Sequence, residues 1–394
     1  MTQPRTVADA RADARDTAGV PEPRAVRGRR SGSSAFTGTF ALTGLALRHD
    51  RVRLPAWTAG TAVVLYLWAA SVAASYPTLQ ARTGQARVFA RSAAARAVDG
   101  AVSGTSLGSL VMAEVLISSA VAVGLISTFA VVRHTRGHEE AGRADLVGAG
   151  AVGRCAPTAA ALLRVAAGNA LLVPAAAVAL LACGLPAAGS FAAAAGLGAV
   201  GLACAAMAAV AAQLTATARG ANLLSGTLVA VAFLVRAVGD VTGRVGSGGV
   251  TVEGSWPSWL SPVGWCQKMS PYAGERWWVL GLFAVFGAAV SAAAFRLAAH
   301  REVGVGLLPA REGAAGAPRS LRGPIGLAWR IQRVHLFGWA LAMVALGATF
   351  GGIGARPTRS WGPPTSSRGS ATGWATPNRS GSGSPSTWGS PRRF

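Results

Sequence analysis

Arg133, His134, Arg136, His138, Glu139, Glu140, Arg143, Asp145 and Arg154 crowd into VVRHTRGHEEAGRADLVGAGAVGR, residues 131–154 of a chain otherwise rich in Ala, Val, Leu and Gly. Histidines beside carboxylates raise the question of a metal site. The five histidines, His49, His134, His138, His300 and His335, have no cysteine or carboxylate partners at metal-ligand spacing, so no metal is expected. What the stretch does offer is nearly balanced charge: Arg133, Arg136, Arg143 and Arg154 against Glu139, Glu140 and Asp145. A loop serving only as a topological anchor would need arginines alone, whereas both signs together suit a short helix presented to a protein surface. Arg136, Glu139, Glu140, Gly142, Arg143 and Asp145 are the candidate contacts; the plainer reading is a solvated loop.

Nucleotide hydrolysis within this chain is excluded by its residues. A Walker-type phosphate loop needs Gly-Lys-Ser/Thr, and the only lysine sits in Gln267-Lys268-Met269. The string GSGG at 246–249 lacks the strand-then-helix context of a dinucleotide site. Cys155, Cys183, Cys204 and Cys266 stand far apart with no CxxC or CxxH spacing, and read as small packing residues. No cofactor and no enzymatic activity of its own are expected.

Polar groups inside apolar runs are costly in a membrane and therefore informative. Asn169 and Gln213 read as interhelical hydrogen-bonding residues that hold a bundle together. Arg236 and Asp240, four apart on one helical face, read as a local ion pair at the outer interface. Glu114, at the mouth of an apolar run, is the stronger candidate for a functional carboxylate.

The elements that position these groups follow from hydropathy. Apolar residues make up 51% of the 394 and charged residues 13%, with a mean hydropathy of +0.40, too apolar for an ordinary soluble domain. The formal charge of +22 is spread between uncharged runs rather than gathered on one face, which argues for juxtamembrane loops and against nucleic-acid binding. A membrane-crossing helix rises ~1.5 Å per residue and needs about 20 apolar positions. Runs of that kind fall at 54–76, 110–132, 165–185, 187–214, 221–235, 277–299 and 335–355, the fifth shortened by Arg236. The expected fold is all-α: a polytopic bundle of about seven spans.

Arginines in the N-terminal tail, in 133–164, at Arg219 and in 296–334 fall on one side, which the positive-inside rule makes cytosolic. Trp256, Trp259, Trp265, Trp277 and Trp278, in and beside the long 236–276 loop, suit an interfacial belt on the outer side. The loop 77–100, with Arg82, Arg87, Arg91 and Arg96, disagrees with that orientation. GLALRHDRVRLPAW (44–57) recurs as GLAWRIQRVHLFGW (326–339), each copy leading into an apolar span, the mark of two homologous halves joined by a polar linker. The resulting division is a disordered basic cytosolic tail (1–35), an amphipathic elbow (36–53), a six-span half (54–300), a linker with a second elbow (301–334) and a seventh span (335–355). Residues 356–394 contain no Leu, Val, Ile, Asp or Glu. They read as the product of a shifted reading frame after Ala355, the alternative being a genuine disordered tail.

VVRHTRGHEEAGRADLV, FALTGLALRHDRVRLPAW, AAQLTATARGANLL followed by VAFLVRAVGD, and SWLSPVGWCQKMSPYAGERWWVL resemble the ABC-2 type exporter permeases of high-GC bacteria that export polyketide antibiotics or multiple drugs. The resemblance covers about residues 36–355. It implies two concatenated six-span halves, elbows near 36–53 and 318–334, a coupling helix near 133–150, a separate ATPase subunit that docks there and uses the ATP, and efflux of large, fairly apolar molecules across the plasma membrane. The chain departs from that pattern after Ala355, where further spans are expected. Two other readings stand beside it: a proton-coupled secondary transporter, for which Glu114 is the one candidate relay carboxylate, and a non-functional truncated permease or membrane scaffold.

Overall fold

A computed structural model describes residues 35–143, 150–301, 306–308 and 323–354. It is all-α apart from one two-residue hairpin. Helix α1 (Thr39–His49) is followed by α2 (Arg53–Ser75), two short helices α3 (Leu79–Arg91) and α4 (Ala93–Val98), then α5 (Leu107–His134) and the five-residue α6 (Arg136–Glu140). Next come α7 (Ala156–Ala182), α8 (Ala187–Leu214) and α9 (Ala218–Val241), the strands β1 (Arg244–Val245) and β2 (Val252–Glu253), a 3-10 turn (Trp256–Leu260), α10 (Pro262–Lys268), α11 (Val279–His300) and α12 (Pro324–Gly354). The protein is a multi-pass membrane protein: α2, the Leu107–Glu140 stretch and α7, α8, α9 and α11 are long and apolar enough to cross a bilayer.

Small residues decide which span is central. Helix α8 is largely Ala and Gly, and 78% of its most apolar window is buried within the protein, against 22% for α2 and 17% for α11. Lacking side-chain bulk, it lets α5, α7, α9 and α11 pack around it. A close approach is at Tyr272, whose ring lies against Gly108 of α5 and Gly189 of α8; a Cβ at either glycine would overlap it. Tyr272 hydroxyl and Ser190 Oγ are hydrogen-bonded at 2.8 Å, which closes that end of α8.

Three spans depart from the limits of their uncharged runs. Helix α7 begins at Ala156 because Arg164 is buried rather than terminal, at 4% exposure. Helix α9 runs to Val241, and Arg236 does not shorten it, because that side chain is neutralised inside the protein. The second elbow and the seventh apolar run form one unbroken helix, α12, whereas a turn at 50–52 separates α1 from α2. The two copies of the repeat differ where it matters. Asp50 caps the end of α1 and Pro55, which lacks an N–H and clashes with a helical carbonyl four residues back, forces a helix start just before it. The corresponding residues in the second copy are Gln332 and Phe337, which let a helix continue. The N-terminal tail, Asp145 and everything after Gly354 lie outside the described residues.

Candidate functional site

The charges of 131–143 are gathered at one end of the bundle into two linked networks. In the first, Asp50 turns inward at the α1–α2 break, with its side chain fully buried. It accepts hydrogen bonds from Arg133 Nη2 at 2.9 and 2.7 Å, pairs with His134 Nε2 at 2.9 Å and with Arg164 Nη2 at 2.7 Å. Burial alone would push this carboxyl up, but Arg164, the His134 hydrogen bond and Arg133 together hold it below the usual carboxylate value. One carboxylate thus ties the elbow to the end of α5 and the start of α7.

The second network starts where α5 ends. Thr135 breaks the helix, and α6 supplies Arg136, Glu139 and Glu140 within one and a half turns. Arg136 is 1% exposed; its Nε donates to Ala212 O of α8 at 2.5 Å and its Nη1 pairs with Glu139 Oε2 at 2.8 Å. Glu139 is also gripped by Arg301, just beyond α11, through Nη2 to Oε1 at 2.5 Å and Nη1 to Oε2 at 3.0 Å. Glu140 Oε1 accepts from the Ala218 backbone N–H at 2.7 Å, placing a negative charge at the N-terminus of α9, where the helix dipole favours it. The chain then turns away through Gly142, whose φ of +68° suits only glycine readily. Arg143 beyond it is exposed.

Of the six residues read as contacts for a partner, Arg136, Glu139 and Glu140 are therefore committed to α8, α11 and α9 of their own chain, and Gly142 is the turn. Arg143 faces outward, and Asp145 lies outside the described residues. Within 133–150, α5 extends through His134, α6 ends at Glu140 and Arg143 is again helical, while residues 144–149 lie outside the described residues. Sequence reasoning missed Asp50, Arg164 and Arg301 as members of the site. A signal for Asp50 was present: it is the one acid in the elbow, and the repeat replaces it with Gln332.

Of the intramembrane polar residues, Gln213 adjoins this junction, next to Ala212, while Asn169 and Glu114 lie further along the bundle. Asn169 Nδ2 donates to Ser127 Oγ at 3.2 Å, joining α7 to α5, and Gln213 Nε2 donates to Thr158 Oγ1 at 3.2 Å, joining α8 to α7. Glu114 is half-buried near the other end of α5, close enough to Tyr76 that burial and its charge together raise the phenol's pKa. Asp99 is pushed up to about 6 by burial, which nearby Arg236 opposes.

That far end is fastened differently. Arg236, fully buried, pairs with Asp240 at 3.1 Å and donates from Nη2 to Ala97 O at 2.6 Å and Val98 O at 3.3 Å. The expected pair exists, but in the interior rather than at an exposed interface, where it holds α4 against α9. Trp256, Trp277 and Trp278 are exposed at this end, whereas Trp265 is buried and stacking joins Trp259 to Trp278.

The chain is 40% identical over 322 residues to the multidrug efflux system permease protein Rv1217c of Mycobacterium tuberculosis, a match covering 81% of this chain and 56% of that protein. It thus spans a little over half the length of this curated relative. The family model described as the C-terminal domain of the multidrug efflux system permease Rv1217c matches residues 321–360. Those residues include the second copy of the repeat. The resemblance to ABC-2 type multidrug exporter permeases drawn from the sequence is borne out along most of this chain.

Proposed function

We propose that this relative of multidrug efflux permeases is the membrane-embedded part of an ABC exporter, with no catalytic residues of its own, energised by a separate ATPase subunit that grips the 136–143 segment from the cytosol. The N-terminus is then cytosolic, and apolar drug-like molecules are the cargo. The observation that carries this reading is the junction itself. Helix α6 is bonded at one point each to α8, α9 and the end of α11, and α5 continues into it. A force applied to so short a lever reaches four spans at once. ATP-driven closure of the ATPase would rearrange these charged contacts and shift the bundle between inward- and outward-facing states with different affinities for the cargo.

Replacing Glu139, Glu140 and Arg143 together would also sever the internal ties, so the cleaner test is Arg143→Glu, at an exposed position. Cargo-stimulated ATP hydrolysis by the permease–ATPase complex should fall about fivefold, with the unfolding temperature unchanged, as expected for reversing a charge at the rim of an interface. Undiminished stimulation would show that the ATPase docks elsewhere.

Proton coupling is the rival reading, supported by Glu114 lying near enough to Asp99 for the two carboxyls to interact, with Asp99, Ser103 and Gln267 helping to line a small cavity. Collapse of the proton gradient with ATP maintained separates the two, because it abolishes efflux only if protons drive it.

A further inference from the structure

The α1–α2 turn sorts its charges. In RHDRVR (48–53) the one acid, Asp50, is fully buried, consumed by Arg133, His134 and Arg164, while Arg48, Arg51 and Arg53 are all exposed. None of the three has an ion-pair partner among the described residues. The surface charge there is purely positive. Beside it the elbow leaves apolar side chains exposed: Phe36 is 47% exposed, Phe40 85%, Leu45 64% and Val52 69%. Exposed apolar side chains next to arginines suit a segment lying in the headgroup layer. It sits at a span's entry: α2 begins at Arg53.

The second copy of the repeat keeps the same two features. Arg330 and Arg333 occupy the positions of Arg48 and Arg51 and are exposed, as are Ile325, Leu327 and Ile331 around them. The second copy lacks counterparts of Asp50, Pro55 and the helix break, yet both copies retain Arg-x-x-Arg next to exposed apolar side chains. The arginine pair therefore persists where the feature that shapes the turn does not.

We infer that each elbow binds the phosphate group of an anionic phospholipid in the leaflet at the junction end, Arg48, Arg51 and Arg53 holding the headgroup at the first elbow and Arg330 and Arg333 at the second, with the neighbouring exposed apolar side chains in contact with the acyl chains. Guanidinium groups suit this ligand because they give paired N–H donors to phosphate oxygens. The inference depends on the chain crossing a membrane and not on the transport reading, so it stands or falls without an ATPase.

The test is lipid retention. The full chain is equilibrated in mixed micelles with phosphatidylglycerol or phosphatidylcholine, and bound lipid is counted by native mass spectrometry. Phosphatidylglycerol should be retained in preference to phosphatidylcholine, and each arginine neutralised in Arg48→Gln, Arg51→Gln and Arg53→Gln should weaken retention about fivefold. Arg87→Gln with Arg91→Gln, on α3 at the other end of the bundle, should leave it unchanged. Millimolar inorganic phosphate should not displace the lipid, because the acyl contacts are part of the site. Equal retention of the two lipids, loss of preference in the α3 variant rather than the elbow variant, or full displacement by free phosphate would each overturn the inference. A phosphatidylglycerol-dependent rise in unfolding temperature, present in wild type and absent in the folded elbow variant, provides a second readout.

Discussion

The two ends of the bundle hold their helices together by different means. At the junction end, carboxylates are the hubs: Asp50 and Glu139 each receive cations from other elements, and Glu140 caps α9. At the opposite end a cation is the hub: Arg236 gives its protons to Asp240 and to backbone carbonyls of α4. Side-chain ion pairs exchange partners as rotamers change, whereas a guanidinium bound to main-chain carbonyls cannot release them without leaving polar groups unsatisfied in a dry interior. On the proposed function, the contacts that exchange are the Asp50 and Glu139 ion pairs at the junction end, while Arg236, and Arg136 through Ala212 O, stay fixed.

Removing the hub of the fixed end should do the most harm. Arg236→Met leaves Asp240 buried without its partner and should cost about 3–5 kcal/mol, read as a large drop in unfolding temperature in detergent. Adding Asp240→Leu should recover much of the loss. Asp50→Asn at the junction should cost less, about 2–3 kcal/mol, the range for hydrogen bonds to charged groups. Arg133 is 43% exposed in its side chain, so its share is small.

The two ends should also respond oppositely to pH. Asp50 is held below its usual value in the folded state, so its contribution is present above about pH 4, the unfolded value, and is lost as pH falls through the folded one. Asp99 is raised to about 6. Between about pH 4 and that value the folded chain retains a proton that the unfolded chain releases, so stability declines as pH rises across the window. Unfolding temperature against pH should lose its acid limb in Asp50→Asn and its decline toward neutral pH in Asp99→Asn. If both variants alter the same limb, the contrast between the ends is wrong. The smallest effect is expected in the bundle interior, where Asn169→Leu or Gln213→Leu should each change stability by about 0.6 kcal/mol, the average for interhelical hydrogen bonds in membranes.

Most of the fold was legible because a bilayer punishes charge and rewards long apolar runs, and six such runs became helices able to cross. The misjudged limits share one cause. Arg164 and Arg236 look like the ends of spans when only neighbours in sequence are visible, yet Arg164 is neutralised by distant Asp50, and Arg236, besides its neighbour Asp240, is held by distant carbonyls of α4. Burial of a charge depends on tertiary partners that hydropathy does not see. The site was legible in the same partial way. The run RGHEE announced mixed charge at a helix end, but nothing in its spacing showed that Arg136 reaches Ala212 or that Glu139 waits for Arg301. Among the described charged candidates Arg143 and Glu140 are exposed, and of these Glu140 is already held by the Ala218 N–H. The break after α1 was readable in retrospect, from Pro55 and Asp50 set against Phe337 and Gln332.

The proposed grip of an ATPase on the 136–143 segment can be measured directly by site-specific crosslinking. With the four native cysteines replaced, Arg143→Cys in the full chain should crosslink to the ATPase subunit with which it is co-purified, to an extent that changes when ATP is bound, while Arg87→Cys at the opposite end should not crosslink at all. Crosslinking at position 87, or none at 143 in a complex that still hydrolyses ATP in response to cargo, would contradict it.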